Sequence, residues 1–140
     1  SMADQVVLLK DGQIVQVGAP ADLYDKPSNV FAAQFLGTPP MNILPKKVVP
    51  TFSRNTESFD SLGIRPEKIK LSNDGITMTV DAIDYMGAET VLRLLYEDQR
   101  LMARIDGKAQ VSIGESVSVN WDPVDCHAFD RNGNRICGSF

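Results

Sequence analysis

The 140-residue chain is poor in the side chains on which most small-protein chemistry is built, with one His, one Trp and two Cys. His127 follows Cys126 directly, but neighbouring strand residues point to opposite faces and no ligand spacing accompanies the pair, so structural roles are expected for both. Cys126 and Cys137 flank Asn132-Gly133, a two-residue type I′ signal that would pair Ala128 with Cys137. Cys126 is then a diagonal neighbour about 7–8 Å away. That is beyond disulfide reach, and two thiols suit a reducing compartment. No apolar run is long enough for a transmembrane helix, and no charged-then-apolar leader opens the chain. Basic residues are also short, 14 Lys and Arg against 18 Asp and Glu for a net charge of −4, which argues against a nucleic-acid partner. Finally, the phosphate-cradling pattern G-x-x-x-x-G-K-[ST] does not occur, so nucleotide hydrolysis cannot reside in these residues.

What is present begins with a stretch that looks like the end of a domain. Val6 to Leu9 is apolar on both faces, as in a strand covered from two sides, which leads us to expect a further segment upstream. Ser1-Met2 read equally as native or added residues. Asp11-Gly12 then predicts a tight hairpin into Ile14, Val15 and Val17. Ala19-Pro20 opens a short helix through Tyr24 that Lys26-Pro27 stops. Ser28 is the expected N-cap of a second helix, with Phe31 and Phe35 paired at i,i+4 and Gly37 as its left-handed stop. Thr38-Pro39-Pro40 predicts an extended exit.

From Leu62 onward the pattern changes to short strands. Ile76, Met78, Val80 and Ala82 alternate with polar residues, Thr90 to Tyr96 is an apolar run, and Leu101, Ala103 and Ile105 alternate again. Val117, Val119 and Trp121 form the next strand, closed by Pro123, and Trp121 reads as a core or rim residue. Strands at this spacing predict a small antiparallel barrel. Residues 51–61, TFSRNTESFDS, read as a polar loop. Asp122, Asp125 and Asp130 straddle turns and read as a solvated rim.

The strings LKDGQIVQVG, LYDKPSNVFAAQFLG and MNILP, followed by LGIRPEKIKL, YMGAET and DPVDCHAFDRNGNRI, resemble the C-terminal part of ATP-binding subunits of sugar and glycerol-3-phosphate type ABC importers. The resemblance covers most of the chain. It implies that residues 1–45 are the tail of an ABC nucleotide-binding domain and residues 46–140 a TOBE regulatory domain. The fold class is then mainly β, a small antiparallel OB-like (TOBE/MOP-like) barrel preceded by a β-hairpin and two short helices. The segment between MNILP and GIRPE is shorter than in the family, which leaves room for a reduced or differently paired barrel.

The same resemblance implies no cofactor in this chain, because ATP and Mg would be bound by the upstream domain, which would also hold the signature motif and switch histidine. Its implied partners are a second copy of itself, the upstream ATPase domain, the membrane subunits indirectly, and regulatory proteins, on the cytoplasmic face of the cell membrane. Candidate interface or regulatory residues are Met41, Asn42, Gly63, Arg65, Pro66, Glu67 and Lys68. Within the last four, Pro66 holds Arg65 extended, and Glu67 pairing with Arg65 or Lys68 is the simplest structural role. Three functions remain open: an interaction and regulatory domain, favoured; a small-solute or oxyanion sensor, second because the basic residues are scattered; and an oligonucleotide-binding barrel, last because Tyr85, Tyr96 and Trp121 lie among acids.

Overall fold

In the computed structural model, which describes residues 4–48 and 59–136, the chain opens with strands β1 (Val6–Lys10) and β2 (Gln13–Gly18). Asp11 and Gly12 both adopt positive φ, 51° and 78°, the pair of left-handed residues that a two-residue type I′ loop requires. Only one face of this hairpin is covered. Leu8 is buried with Leu23 and Ala32, while Val7 and Leu9 are exposed, the face that the sequence reading assigns to an upstream segment.

Helices α1 (Pro20–Asp25) and α2 (Val30–Phe35) follow. Pro20 sits in the first turn, where its missing N–H costs nothing. The cap of α2 is Asn29 rather than Ser28: its side-chain oxygen accepts from Ala32 N–H at 2.9 Å. Ser28 is drawn away, its N–H donating to Gln16 Oε1 at 2.9 Å and its hydroxyl to Val15 O at 3.4 Å. Gln16 also donates to Lys26 O at 3.1 Å, so one β2 side chain fastens the junction between the helices. Residues 37–40 form a turn, with a cis Thr38-Pro39 bond, in place of the expected extended exit.

The MNILP segment is itself a strand, β3 (Asn42–Pro45), where sequence reading had only an exit. It leads through a 3₁₀ turn at Lys46–Val48. Residues 51–58 of the expected polar loop lie outside the described residues, while Phe59 is buried and Ser61 already belongs to a strand. That strand, β4 (Ser61–Ile64), lies between β3 and the last strand of the chain in a three-stranded sheet.

A five-stranded antiparallel sheet follows, curled as a half-barrel. Its strands are β5 (Lys70–Ser72), β6 (Ile76–Tyr85), β7 (Glu89–Tyr96), β8 (Gln99–Asp106) and β9 (Ser116–Asn120), in the spatial order β5-β9-β6-β7-β8. Its buried side follows the period of two: Met78 and Val80 on β6, Leu92 and Leu94 on β7, Leu101 and Ala103 on β8, with Val119 and Trp121 beyond. A register shift between Val80 and Ala82 bends β6. Buried Thr90 is fully used: its hydroxyl donates to Gly107 O at 2.7 Å and accepts from Ala109 N–H at 3.1 Å.

Strand β10 (His127–Phe129) pairs antiparallel with β4, and the chain then turns back on itself. The expected register is off by one. Gly133 has φ 82° but Asn132 is not left-handed, so a type I′ pair is absent and a three-residue loop forms instead. Gly133 N–H donates to Asp130 O at 2.9 Å, Phe129 faces Arg135, and Ile136 N–H donates to Ala128 O. Cys137, and with it the pairing argument for the two cysteines, lies outside the described residues.

Two compact units result. One comprises Ser1–Gly63 with Cys126–Phe140, the other Ile64–Asp125.

Candidate interaction and regulatory site

Met41, Asn42 and Gly63 belong to the first unit, and all three are interior. Met41 is buried in a cluster with Ala33 and Phe129, flanked by Val30 and Ile43. Gly63 lies against it so closely that a Cβ there would collide with Met41 Sδ and come within 2.9 Å of Phe129 Cε2. Asn42, on β3, is buried as well.

The Arg65-Pro66-Glu67-Lys68 segment sits at the start of the second unit. Arg65 is extended, φ −70° and ψ 142°, as the residue before a proline must be, and Pro66–Lys68 is a 3₁₀ turn packed against β8. Lys68 N–H donates to Arg65 O at 3.0 Å, which closes the turn. The four residues do not form one surface: Arg65 and Pro66 are buried, Glu67 and Lys68 exposed. Lys68 Nζ pairs with Asp125 Oδ1 at 3.8 Å, its side chain about half exposed, a geometry worth little. In the sequence, Asp125 reads only as part of an acidic rim. Opposite charge alone could have matched it with Lys68, since no local spacing links residues so distant in sequence.

The other two rim aspartates are turn residues. Asp122 Oδ1 accepts from Val124 N–H at 3.0 Å, and Asp130 Oδ1 accepts from the N–H groups of Asn132 and Asn134, each at 2.9 Å. Trp121 is buried, in keeping with its reading as a core residue.

One groove of about 490 Å³ opens beside β5 and β9, lined by Leu71, Ser72, Asn73, Glu115, Ser116, Val117 and Ser118. Its lining has no Lys or Arg and one carboxylate, and Ser72 Oγ already bonds Asp74 and Asn120. Such a lining does not suit an anion. Among the described residues no cluster of His, Cys, Asp and Glu could hold a metal ion, and no helix is long and apolar enough to cross a membrane.

The most conspicuous surface is the open face of the first hairpin. Val7 faces Val17 and Leu9 faces Ile14 across the ladder, with exposures of 53%, 47%, 54% and 65%. Phe35 is 61% exposed, but Phe31 and Leu36 are packed against Leu8, Leu23 and Ala32, so this helix face is only partly open. A second exposed pair, Tyr85 and Met86, caps the turn between β6 and β7, with Lys108 Nζ 5.4 Å from the Tyr85 ring centre.

Comparison with known proteins bears on this arrangement. Residues 62–129 match the family described as TOBE domain. The chain is 32% identical to the alpha-glucoside transport ATP-binding protein AglK of Rhizobium meliloti over 95% of its own length and 44% of that protein's. It is 35% identical to the sn-glycerol-3-phosphate import ATP-binding protein UgpC 3 of Agrobacterium fabrum, covering 97% of this chain and 44% of the relative. A third relative, UgpC of Brucella abortus, is 32% identical over 97% of this chain and 43% of its own length. The chain thus spans less than half the length of the curated relatives it matches, and aligns with their C-terminal part.

Proposed function

Because the chain carries a TOBE domain at residues 62–129 and corresponds to the C-terminal part of ATP-binding subunits of sugar and glycerol-3-phosphate type ABC importers, we propose that it is the regulatory and dimerisation region of such a subunit, not itself catalytic. On this reading the parent is an ATPase whose upstream domain binds ATP and Mg. It works at the cytoplasmic face of the membrane beside the transporter's membrane subunits, imports a carbohydrate or glycerol-3-phosphate type solute, pairs with a second copy and answers to regulatory proteins.

The observation that carries the proposal is the apolar face of Val7, Leu9, Ile14 and Val17. Four adjacent apolar side chains left open on a two-stranded hairpin mark a contact surface. In the parent, the upstream ATPase domain is its natural cover; in the 140-residue chain, self-association is. Sedimentation should therefore report a dimer or larger. Changing Leu9 and Ile14 together to Glu should shift the distribution toward monomer. A wild-type chain that stays monomeric at high concentration, with Val7 and Leu9 amides well protected, would refute this use of the face. In the full-length parent, deletion from Leu62 onward should weaken subunit pairing or partner control while ATP binding persists.

The oxyanion-sensor reading ranks below it, since the groove by β5 and β9 lacks cations and Lys68 is engaged with Asp125. A thermal-shift screen with millimolar molybdate, sulfate, phosphate and glycerol phosphate separates the two, because any ligand of the folded state alone raises the melting temperature. No shift is expected. A concentration-dependent shift abolished by changing Arg65 or Lys68 would reverse the ranking.

A further inference from the structure

The only histidine of the chain is bonded to a group that cannot tolerate its protonation. Arg135 Nη1 lies 2.7 Å from His127 Nδ1. A guanidinium has donors and no acceptor, and it remains charged at any pH the protein meets. His127 Nδ1 must therefore be the acceptor, which makes the ring neutral with its proton on Nε2. Protonating Nδ1 removes the acceptor and sets two cations in contact.

This contact sits where the C-terminal hairpin is fastened to the junction of α1 and α2. Arg135 N–H donates to Ser28 O at 2.8 Å, its Nη1 reaches Pro27 O at 3.5 Å, Val30 N–H donates to Gly133 O at 2.8 Å, and Asn29 bridges to Asn134. Among the described residues, charged groups on the surrounding elements are few. β4, paired to His127 through Gly63, has no ionisable residue, and Asp60 precedes it with its N–H on Phe129 O. In the hairpin loop Asp130 commits Oδ1 to the N–H groups of Asn132 and Asn134, while Arg131 is exposed. The helix junction contributes exposed Asp25 and Lys26, and Asp125, which precedes β10, is paired with Lys68. Arg135 is bonded to the ring directly.

We propose that His127 and Arg135 form an acid-labile latch that holds the C-terminal hairpin on the α1–α2 junction. A ring held neutral in the folded state has its pKa below the ordinary value of about 6.5. The stability it contributes is then fully present above that ordinary value and is lost as pH falls through the folded pKa. If residues up to 45 are the tail of an ATPase domain, the latch would make the attachment of the regulatory region's last strand to that tail responsive to pH. This consequence rests on the function proposed above; the latch itself does not.

The test is a pH titration of the ¹⁵N-labelled 140-residue chain by NMR, in which the lone imidazole gives an unambiguous signal. We expect the Nε2–H tautomer near pH 8 and a pKa below the ordinary value of about 6.5. Between pH 7.5 and 5.5 the protection factors of the Val30 and Arg135 amides should fall several-fold, while the Val80 amide in the second unit keeps its protection. In His127→Gln, whose side-chain oxygen accepts without titrating, the fall should disappear. A pKa at or above the ordinary value, an Nδ1–H tautomer, or the same loss of protection in the Gln variant would overturn the latch. Should the variant fold poorly, the tautomer and pKa of the wild-type ring decide alone.

Discussion

At residue 63 a methyl group has nowhere to go. Gly63 does not need its conformational freedom, since its φ is not positive; it needs the absence of a side chain, because Met41 and Phe129 close over it. Its pairing with His127 across β4 and β10 fixes that position. Gly63→Ala should therefore destabilise the protein by about 1–3 kcal/mol through overpacking, read as a lower urea midpoint with an unchanged slope. A substitution at a mere docking surface would instead leave stability alone and alter association. Asn29 and Ser28 show the same dependence on surroundings. Both are good cap residues, and the one whose side chain was not already directed at Val15 took the cap.

Among the elements, the two tight turns of the first unit contrast in how local rules decide them. Asp11-Gly12 has both residues left-handed, as the dipeptide suggests. Asn132-Gly133 carries an equally strong signal, yet Asp130 captures the N–H groups of Asn132 and Asn134 and pulls the loop to three residues with only Gly133 left-handed. The register of the last arm consequently shifts by one and brings Arg135 opposite Phe129. Asp130→Ala should cost about 1.5–3 kcal/mol, the order expected for losing hydrogen bonds to a charged acceptor. Hydrogen exchange should report the loss at Val30 and Arg135, whose bonds depend on the hairpin, and leave the β6–β7 ladder unaffected.

On the scale of the whole molecule, the chain leaves its first unit at Gly63 and re-enters it at Cys126. The TOBE match at residues 62–129 accordingly begins and ends in one ladder, where Leu62 faces Ala128 and Ser61 faces Phe129. With an acidic balance of charge and no phosphate-cradling loop anywhere in its sequence, the chain should give no saturable heat with Mg-ATP in calorimetry. A micromolar site would contradict the non-catalytic reading.

The sequence by itself determined the elements whose causes are local. A left-handed pair at Asp11-Gly12, a proline at the start of α1, and strict alternation along β6 and β8 specify the hairpin, the helix start and the buried side of the half-barrel sheet. Its strings also carried the family resemblance. Contacts between distant residues were decided only in three dimensions. Met41 and Gly63 read as interface candidates, but they meet Phe129 in a core that sequence spacing does not reveal. Lys68 finds Asp125, and His127 finds Arg135, because paired strands and a hairpin loop bring them together. A side chain's conformational preference is encoded within a few residues of it, whereas its burial and its charged neighbours depend on which segments the fold places alongside.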